Sequence, residues 1–366
     1  SHLLVVAGFL VASYVLGMVL ALLAARCYPD GLGMTGRGWA YLGVYQGGGP
    51  PGGAGGGRVL RLVGPPAPPY NRRSKFPKRV WWITLTDEAF PRLAVVRTPT
   101  PDALGPFTSR QDAVDVAATL AEHAGLRTCT TRLARSAVHD CPPAVVGGCP
   151  AARETPCSAA EYAPAPAAVR DLVAGRCDTV LHTMRARIDS AAAAEHFEAA
   201  ARLRDRMVAV VRALRRTQRL AALARIAELI AAHPDGAGGW EFAVVRYGRL
   251  AGAGVAARGT PPMPVVEQIV AAAETVVPDG VASVGVPDDE VAGLAEMVGP
   301  PLLGAPPEEV GLIARWLERP GVRIVRTSHG YHEPRCGAGR WSGWVAAAEA
   351  AARARPDGAD YAERLG

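Results

Sequence analysis

Four cysteines, Cys129, Cys141, Cys149 and Cys157, fall in one stretch, separated by eleven, seven and seven residues. Four thiolates able to fold round one centre suit an Fe-S cluster or a structural zinc, because both take soft ligands from loops. The spacing lacks the paired C-x-x-C of a zinc ribbon, so four unrelated core thiols are the competing reading. A second stretch, Pro68 to Arg79, carries Arg72, Arg73, Lys75, Lys78 and Arg79 interleaved with Tyr70 and Phe76. Such a mixture suits a nucleic-acid surface, where cations neutralise phosphates and rings stack on bases; a solvated loop leading into a strand is the plainer alternative. His329, His332, Glu333 and Cys336 are metal-ligand types, but no second donor cluster matches them, and surface polarity after a strand explains them more simply. Cys27, Cys177 and Cys336 stand apart from the quartet.

Composition bounds the scaffold that carries these groups. At 366 residues the chain has room for roughly two to three domains. Hydrophobic residues at 49% and charged residues at 20% exclude wholesale disorder, while 41 Gly and 31 Pro predict long irregular stretches. Seven cysteines are too few for a disulfide-built secreted scaffold. Leu3 to Ala24 is 22 residues without a charge. At about 1.5 Å per residue that run crosses the hydrocarbon core of a bilayer. Arg26 and Arg37 follow it, so the remainder is expected in the cytoplasm, tethered to the inner face of the plasma membrane. A buried core helix, or a truncated or misjoined reading frame that starts at Ser1, is the other account of the same run. No acidic residue occurs from Gly31 to Thr86, and Gly47 to Gly57 contains only Gly, Pro and Ala, which predicts a flexible loop.

The organisation expected is α+β and multidomain: an apolar helix at 1–28, a Gly/Pro-rich linker at 29–67, an α/β segment at 68–128, the cysteine segment at 129–166, a helical region at 167–233, a small α+β domain at 234–333 and a tail at 334–366. Val80 to Leu85 reads as a strand. Ala168 to Ala232 is rich in Ala, Arg and Leu without Pro, which predicts long helices with a turn near Asp189-Ser190. Phe197, Ala200, Leu203, Met207, Val210 and Leu214 form an apolar stripe that needs a partner helix. Ten arginines face four acids between Arg185 and Arg225, so the outer face can lie against DNA. Farther on, two apolar runs flank Tyr247-Gly248 as a hairpin. Helices near 265–276 and 307–318 and a strand at 322–326 complete the small domain.

Several of these stretches resemble the UvrC-like family, which carries a GIY-YIG nuclease domain. Pro68-Pro69-Tyr70-Asn71-Arg72-Arg73 resembles the end of that domain, and Leu104-Gly105-Pro106-Phe107-Thr108-Ser109 with Leu126-Arg127-Thr128-Cys129 resembles the stretch after it. His196 through Met207 resembles the UVR motif, a helical hairpin. The order is similar to that of actinobacterial-type proteins in which a DEDD exonuclease is fused to a UvrC-like half. The resemblance implies phosphodiester hydrolysis with a divalent cation such as Mg where the nuclease site is complete. It places Tyr45, in Gly43-Val44-Tyr45, and Asn71 in catalytic positions, whereas Leu62 stands where a second tyrosine belongs. Only six residues separate Gly64 from Asn71, leaving no room for the helix arginine and metal glutamate, so the GIY-YIG element reads as a remnant. The resemblance further implies a 4Fe-4S cluster on the cysteine quartet, with the last gap four residues longer than the family pattern. Through Phe197, Leu203 and Met207 it implies a UvrB-like partner. The function expected is therefore binding of DNA and a repair partner with an incomplete nuclease site. The alternatives are an active structure-selective endonuclease of nucleotide excision repair, or a membrane-anchored protein without a DNA role.

Overall fold

A computed structural model describes residues 80–133, 157–279, 299–328 and 330–353. The first sheet is three-stranded and antiparallel, in the order β2-β1-β3, with β1 Trp81–Leu85, β2 Leu93–Val96 and β3 Leu104–Phe107. Helix α1, Arg110–Ala124, packs across it. Its ends are those its sequence dictates: the Ser109 side chain accepts from the Asp112 backbone N–H, and Gly125 takes the left-handed conformation that closes the last turn. After the cysteine segment come the single turn α2, Ala159–Tyr162, then α3, Pro164–Ala174, and the antiparallel pair α4, Thr179–Ala193, and α5, Phe197–Ala224. The expected helical hairpin is present, but its turn lies at 194–196 and not at Asp189-Ser190. The Ala194 N–H donates to the Ser190 carbonyl, and Glu195 reverses the chain at φ 60°.

Helix α5 is the spine of the molecule. Its 28 residues span about 42 Å at the α-helical rise, and it touches β3, α1, α3 and α4 along its length. Two polar side chains near its C-terminal end lock neighbours in place. The Thr217 hydroxyl accepts from the Gly105 N–H at 2.9 Å. Gln218 donates to the Leu172 carbonyl at 3.0 Å and accepts from the Ala338 N–H at 2.8 Å. Gly105 permits the first contact: its φ is +151°, and a Cβ there would stand 2.8 Å from the Trp82 ring.

The second sheet is antiparallel throughout, in the order β6-β5-β4-β7, with β4 Leu229–Pro234, β5 Trp240–Arg246, β6 Arg249–Ala256 and β7 Arg323–Thr327. Tyr247 and Gly248 both have positive φ, 47° and 74°, so the β5-β6 hairpin turns as a tight primed turn at the expected residues. Strand β4 replaces the end of the expected helical run, because Leu229 to Ala232 pairs with β5 on one side and β7 on the other. Helices α6, Pro262–Ala271, and α7, Pro307–Leu317, cover this sheet. Residues 338–353, inside the stretch read as a tail, form a 3-10 turn and α8, Ser342–Arg353, which pack on α5. Trp341 anchors them, donating to the Asp178 carboxylate at 3.0 Å.

The observed class is α+β with a helical hairpin. The apolar run at 3–24 and the GIY-YIG remnant lie outside the described residues, and among the described residues no helix is long and apolar enough to cross a membrane.

Candidate functional site

Arg127 has no solvent exposure, and its guanidinium organises everything around the first cysteine. Its Nη2 meets Glu88 Oε2 at 2.6 Å, and among the described residues neither atom has a hydrogen-bond partner beyond that ion pair. Nε donates to the Phe90 carbonyl at 2.6 Å. Nη1 donates to the carbonyls of Cys129 and Thr131, at 3.0 and 2.7 Å, and lies 3.1 Å from Cys129 Sγ. The Arg127 N–H in turn donates to the Tyr162 hydroxyl, which donates to the Pro91 carbonyl; both distances are 2.9 Å. One buried cation thus ties the β1-β2 turn, the loop leaving α1 and the start of the helical region into a single knot.

Glu88 and Tyr162 carry the electrostatic signature of this knot. Burial opposes ionisation of Glu88, but the hydrogen bond from Thr86 and the charges of Arg127 and Arg92 outweigh it, holding its pKa below the usual glutamate value. Burial pushes the Tyr162 hydroxyl up, keeping it a proton donor, and both Cys129 and Cys157 lie within electrostatic range of it.

Cys157 reaches this place by local means. Ser158, the next residue, caps α2 through a reciprocal box: its side chain accepts from the Glu161 N–H, and Glu161 accepts from the Ser158 N–H at 2.7 Å. Cys129 and Cys157 are both half-buried against the same apolar cluster of Phe90, Leu126, Leu133 and Tyr162. The first and last members of the quartet are therefore brought to one locality, with a guanidinium N–H aimed at one sulfur. Such a donor stabilises a metal-bound thiolate, so the residues present fit a thiolate-ligated centre.

The other expected site residues divide in two. Tyr45, Asn71, Arg72, Arg73, Lys75, Lys78, Arg79, Cys141 and Cys149 lie outside the described residues. On α5, Phe197 is 67% exposed, Leu203 is half-buried and Met207 is fully buried. Met207 packs with Leu181 and Met184 of α4 and with the first sheet. It is thus core, not an open docking face, because α4 supplies the partner the stripe requires. The arginine-rich face is also less available than its composition promised. Arg187 and Arg206 both meet Glu122, Arg212 meets Glu349, and Arg215 and Arg219 meet Glu333. Glu333 is thereby an ion-pair partner, and no group of three metal-ligand residues occurs among the described residues. Glu88 and Tyr162 carried no sequence signal; Arg127 lay in the quoted Leu-Arg-Thr-Cys stretch without a role.

Since the Glu88 pKa is lowered on folding, its contribution to stability is present above its ordinary value of 4.5 and is lost as the pH falls from there through the folded-state value. Glu88→Gln should cost roughly 3 kcal/mol at neutral pH by leaving Arg127 buried without a counter-charge. Urea unfolding of the variant should also show a shallower acid loss than the wild type, and an unchanged pH slope would remove Glu88 from this role.

Residues 80–171 match the UvrC/Cho excinuclease middle domain and residues 178–212 match the UvrB/uvrC motif. A bifunctional exonuclease/endonuclease protein of Mycobacterium tuberculosis is 47% identical over 302 residues, which is 80% of this chain and 44% of that protein. The UvrABC system protein C of Haloarcula marismortui is 34% identical and that of Haloquadratum walsbyi 30% identical, each over 145 residues, 39% of this chain and 25% of theirs. The chain thus spans less than half the length of the curated relatives it matches. No solved structure matches it. With the middle domain built round Arg127 and the motif folded as the α4-α5 hairpin, the chain belongs to the UvrC-like family.

Proposed function

We propose that this chain is a DNA-repair protein of the nucleotide excision type that binds DNA and a UvrB-like protein, with its GIY-YIG nuclease site incomplete. The observation that carries the reading is the shared core of the two matched segments. Ile83, Leu104 and Leu120 of the middle domain pack in one cluster with Met184, Met207 and Val210 of the hairpin, so a DNA contact on one and a protein contact on the other are presented by a single body. The name of the mycobacterial relative favours a second reading, an active endonuclease using a divalent cation such as Mg. A supercoiled plasmid separates the two. The chain should bind it with an affinity that falls as salt rises, and should not nick it when Mg is added. Nicking that Asn71→Ala abolishes would replace this reading with the second.

The cysteine quartet, Cys129, Cys141, Cys149 and Cys157, is assigned to a 4Fe-4S cluster, which would supply a redox-sensitive cross-link between loops. What supports it is the convergence of Cys129 and Cys157 on Tyr162 and the Arg127 N–H at the Cys129 sulfur. Anaerobically purified protein should contain about four iron and four sulfide per chain, and Cys129→Ser should lose them. One zinc without sulfide would replace the cluster by a structural zinc.

The partner contact falls to the exposed end of the hairpin. Phe197→Ala should weaken capture of a UvrB-like protein at least tenfold while changing stability by less than about 0.5 kcal/mol. Met207→Ala should instead cost about 2–5 kcal/mol in unfolding, because it opens a cavity in the core. Equal partner affinity for Phe197→Ala and wild type would place the contact elsewhere.

A further inference from the structure

Among the described residues many arginines are paired with acids, and two that are not share one tryptophan. The guanidinium of Arg97 lies 3.3 Å from the centre of the Trp81 ring, and that of Arg110 lies 5.7 Å from it. Both side chains belong to exposed residues. The strand register explains the meeting. Trp82 is paired with Val96, so the residue after β2, Arg97, comes level with Trp81; Trp81 is itself paired with Phe107, and Arg110 opens α1 three residues later. The segments that follow the two strands flanking β1 thus each bring a cation to the same ring.

Neither arginine forms an ion pair with any described carboxylate. The chain approaching Trp81 adds none either, since no acid occurs from Gly31 to Thr86 and Arg79 stands two residues before the ring. Arg97 is further oriented by a hydrogen bond from Nη1 to the Val80 carbonyl at 3.4 Å, which leaves Nε and Nη2 uncommitted among the described residues. A guanidinium stacked flat on an indole loses less side-chain freedom on meeting an anion, because its fork is already fixed. An arginine bridged to a carboxylate must break that pair and leave an acid beside the incoming charge.

We propose that Trp81, Arg97 and Arg110 form a phosphate-binding site that holds the DNA backbone at the open end of the first sheet. The site rests on the DNA-binding reading above and assigns the contact to the middle domain, not to the arginine-rich hairpin. Two adjacent phosphates are the fitting ligand, since the two cations approach one ring from two separate elements, the end of β2 and the start of α1. Trp81 is half-buried against the core and acts as the platform that spaces them.

The test is fluorescence anisotropy of a fluorescein-labelled, random-sequence duplex titrated with the full chain over a range of salt. The Arg97→Ala/Arg110→Ala double variant should raise Kd about tenfold at fixed salt and lower the slope of log affinity against log salt by about 1.8, the release expected for two phosphates. Arg97→Lys keeps the charge but not the stacked fork; it should preserve the slope while raising Kd severalfold, and it does so without depending on how the double variant folds. Arg185→Ala, which removes a hairpin arginine already paired with Asp189, should leave the slope unchanged. Wild-type binding with an unaltered slope in the double variant would overturn this site and leave the DNA-binding reading standing. Absence of salt-dependent binding by the wild type would overturn both.

Discussion

A guanidinium cannot be withdrawn from water unless its donors and its charge are answered, and the middle domain is arranged round that requirement at Arg127. The desolvation penalty of such a group runs to several kcal/mol and is recovered only when a counter-charge and several acceptors are placed together. Glu88 supplies the charge, and the carbonyls of Phe90, Cys129 and Thr131 supply acceptors. Those acceptors belong to the β1-β2 turn and the loop leaving α1, so neither can move without stranding a donor. Tyr162 extends the constraint across the cysteine segment by bonding to both the Arg127 N–H and the Pro91 carbonyl. The chain consequently leaves at Leu133 and returns at Cys157 on one apolar cluster. Any centre held by the cysteines inherits its location from a salt bridge that contains no metal ligand.

Helix α5 carries the same logic over a longer distance. The stripe is exposed at Phe197, half-covered at Leu203 and buried at Ala200, Met207 and Leu214, the last two packed with α4 and the first sheet. The C-terminal half then crosses into a second core, where Leu220, Leu223 and Ala224 pack with Trp82, β4, β5 and α7. One helix therefore belongs to both sheets. Thr217 and Gln218 stand where the two cores meet, and their hydrogen bonds to Gly105, Leu172 and Ala338 make the junction specific rather than merely greasy.

What could be read from the sequence follows from which interactions are local. The β5-β6 turn was legible because Tyr247-Gly248 interrupts two apolar runs. Strand β4 was not, since Leu229-Ile230-Ala231-Ala232 has no period that separates strand from helix; pairing on both edges decided it. The hairpin turn was misplaced because Glu195, not glycine, adopts the positive φ. The cysteines could be counted, and two of them do converge, but the reason is Glu88, which sits in a turn forty-one residues before Cys129 and has no pattern to mark it.

Charge was the least legible property, because a window counts only the acids it contains. Between Arg185 and Arg225 the arginines outnumber the acids, yet their partners Glu122, Glu333 and Glu349 arrive from other elements. Each exposed pair contributes at most about 1 kcal/mol to stability, so these bridges are not what holds the hairpin. Their larger effect is on the surface potential, since a bridged arginine presents a dipole to solvent where a lone one presents a full charge. Arg97 and Arg110 are unremarkable by composition, seated among neutral neighbours in Val96-Arg97-Thr98 and Ser109-Arg110-Gln111. Folding reverses the ranking: it cancels much of the dense cluster and leaves the sparse pair uncancelled on one ring. The meeting of Arg97 and Arg110 on one ring is therefore set by strand register, which no count of residues along the chain contains.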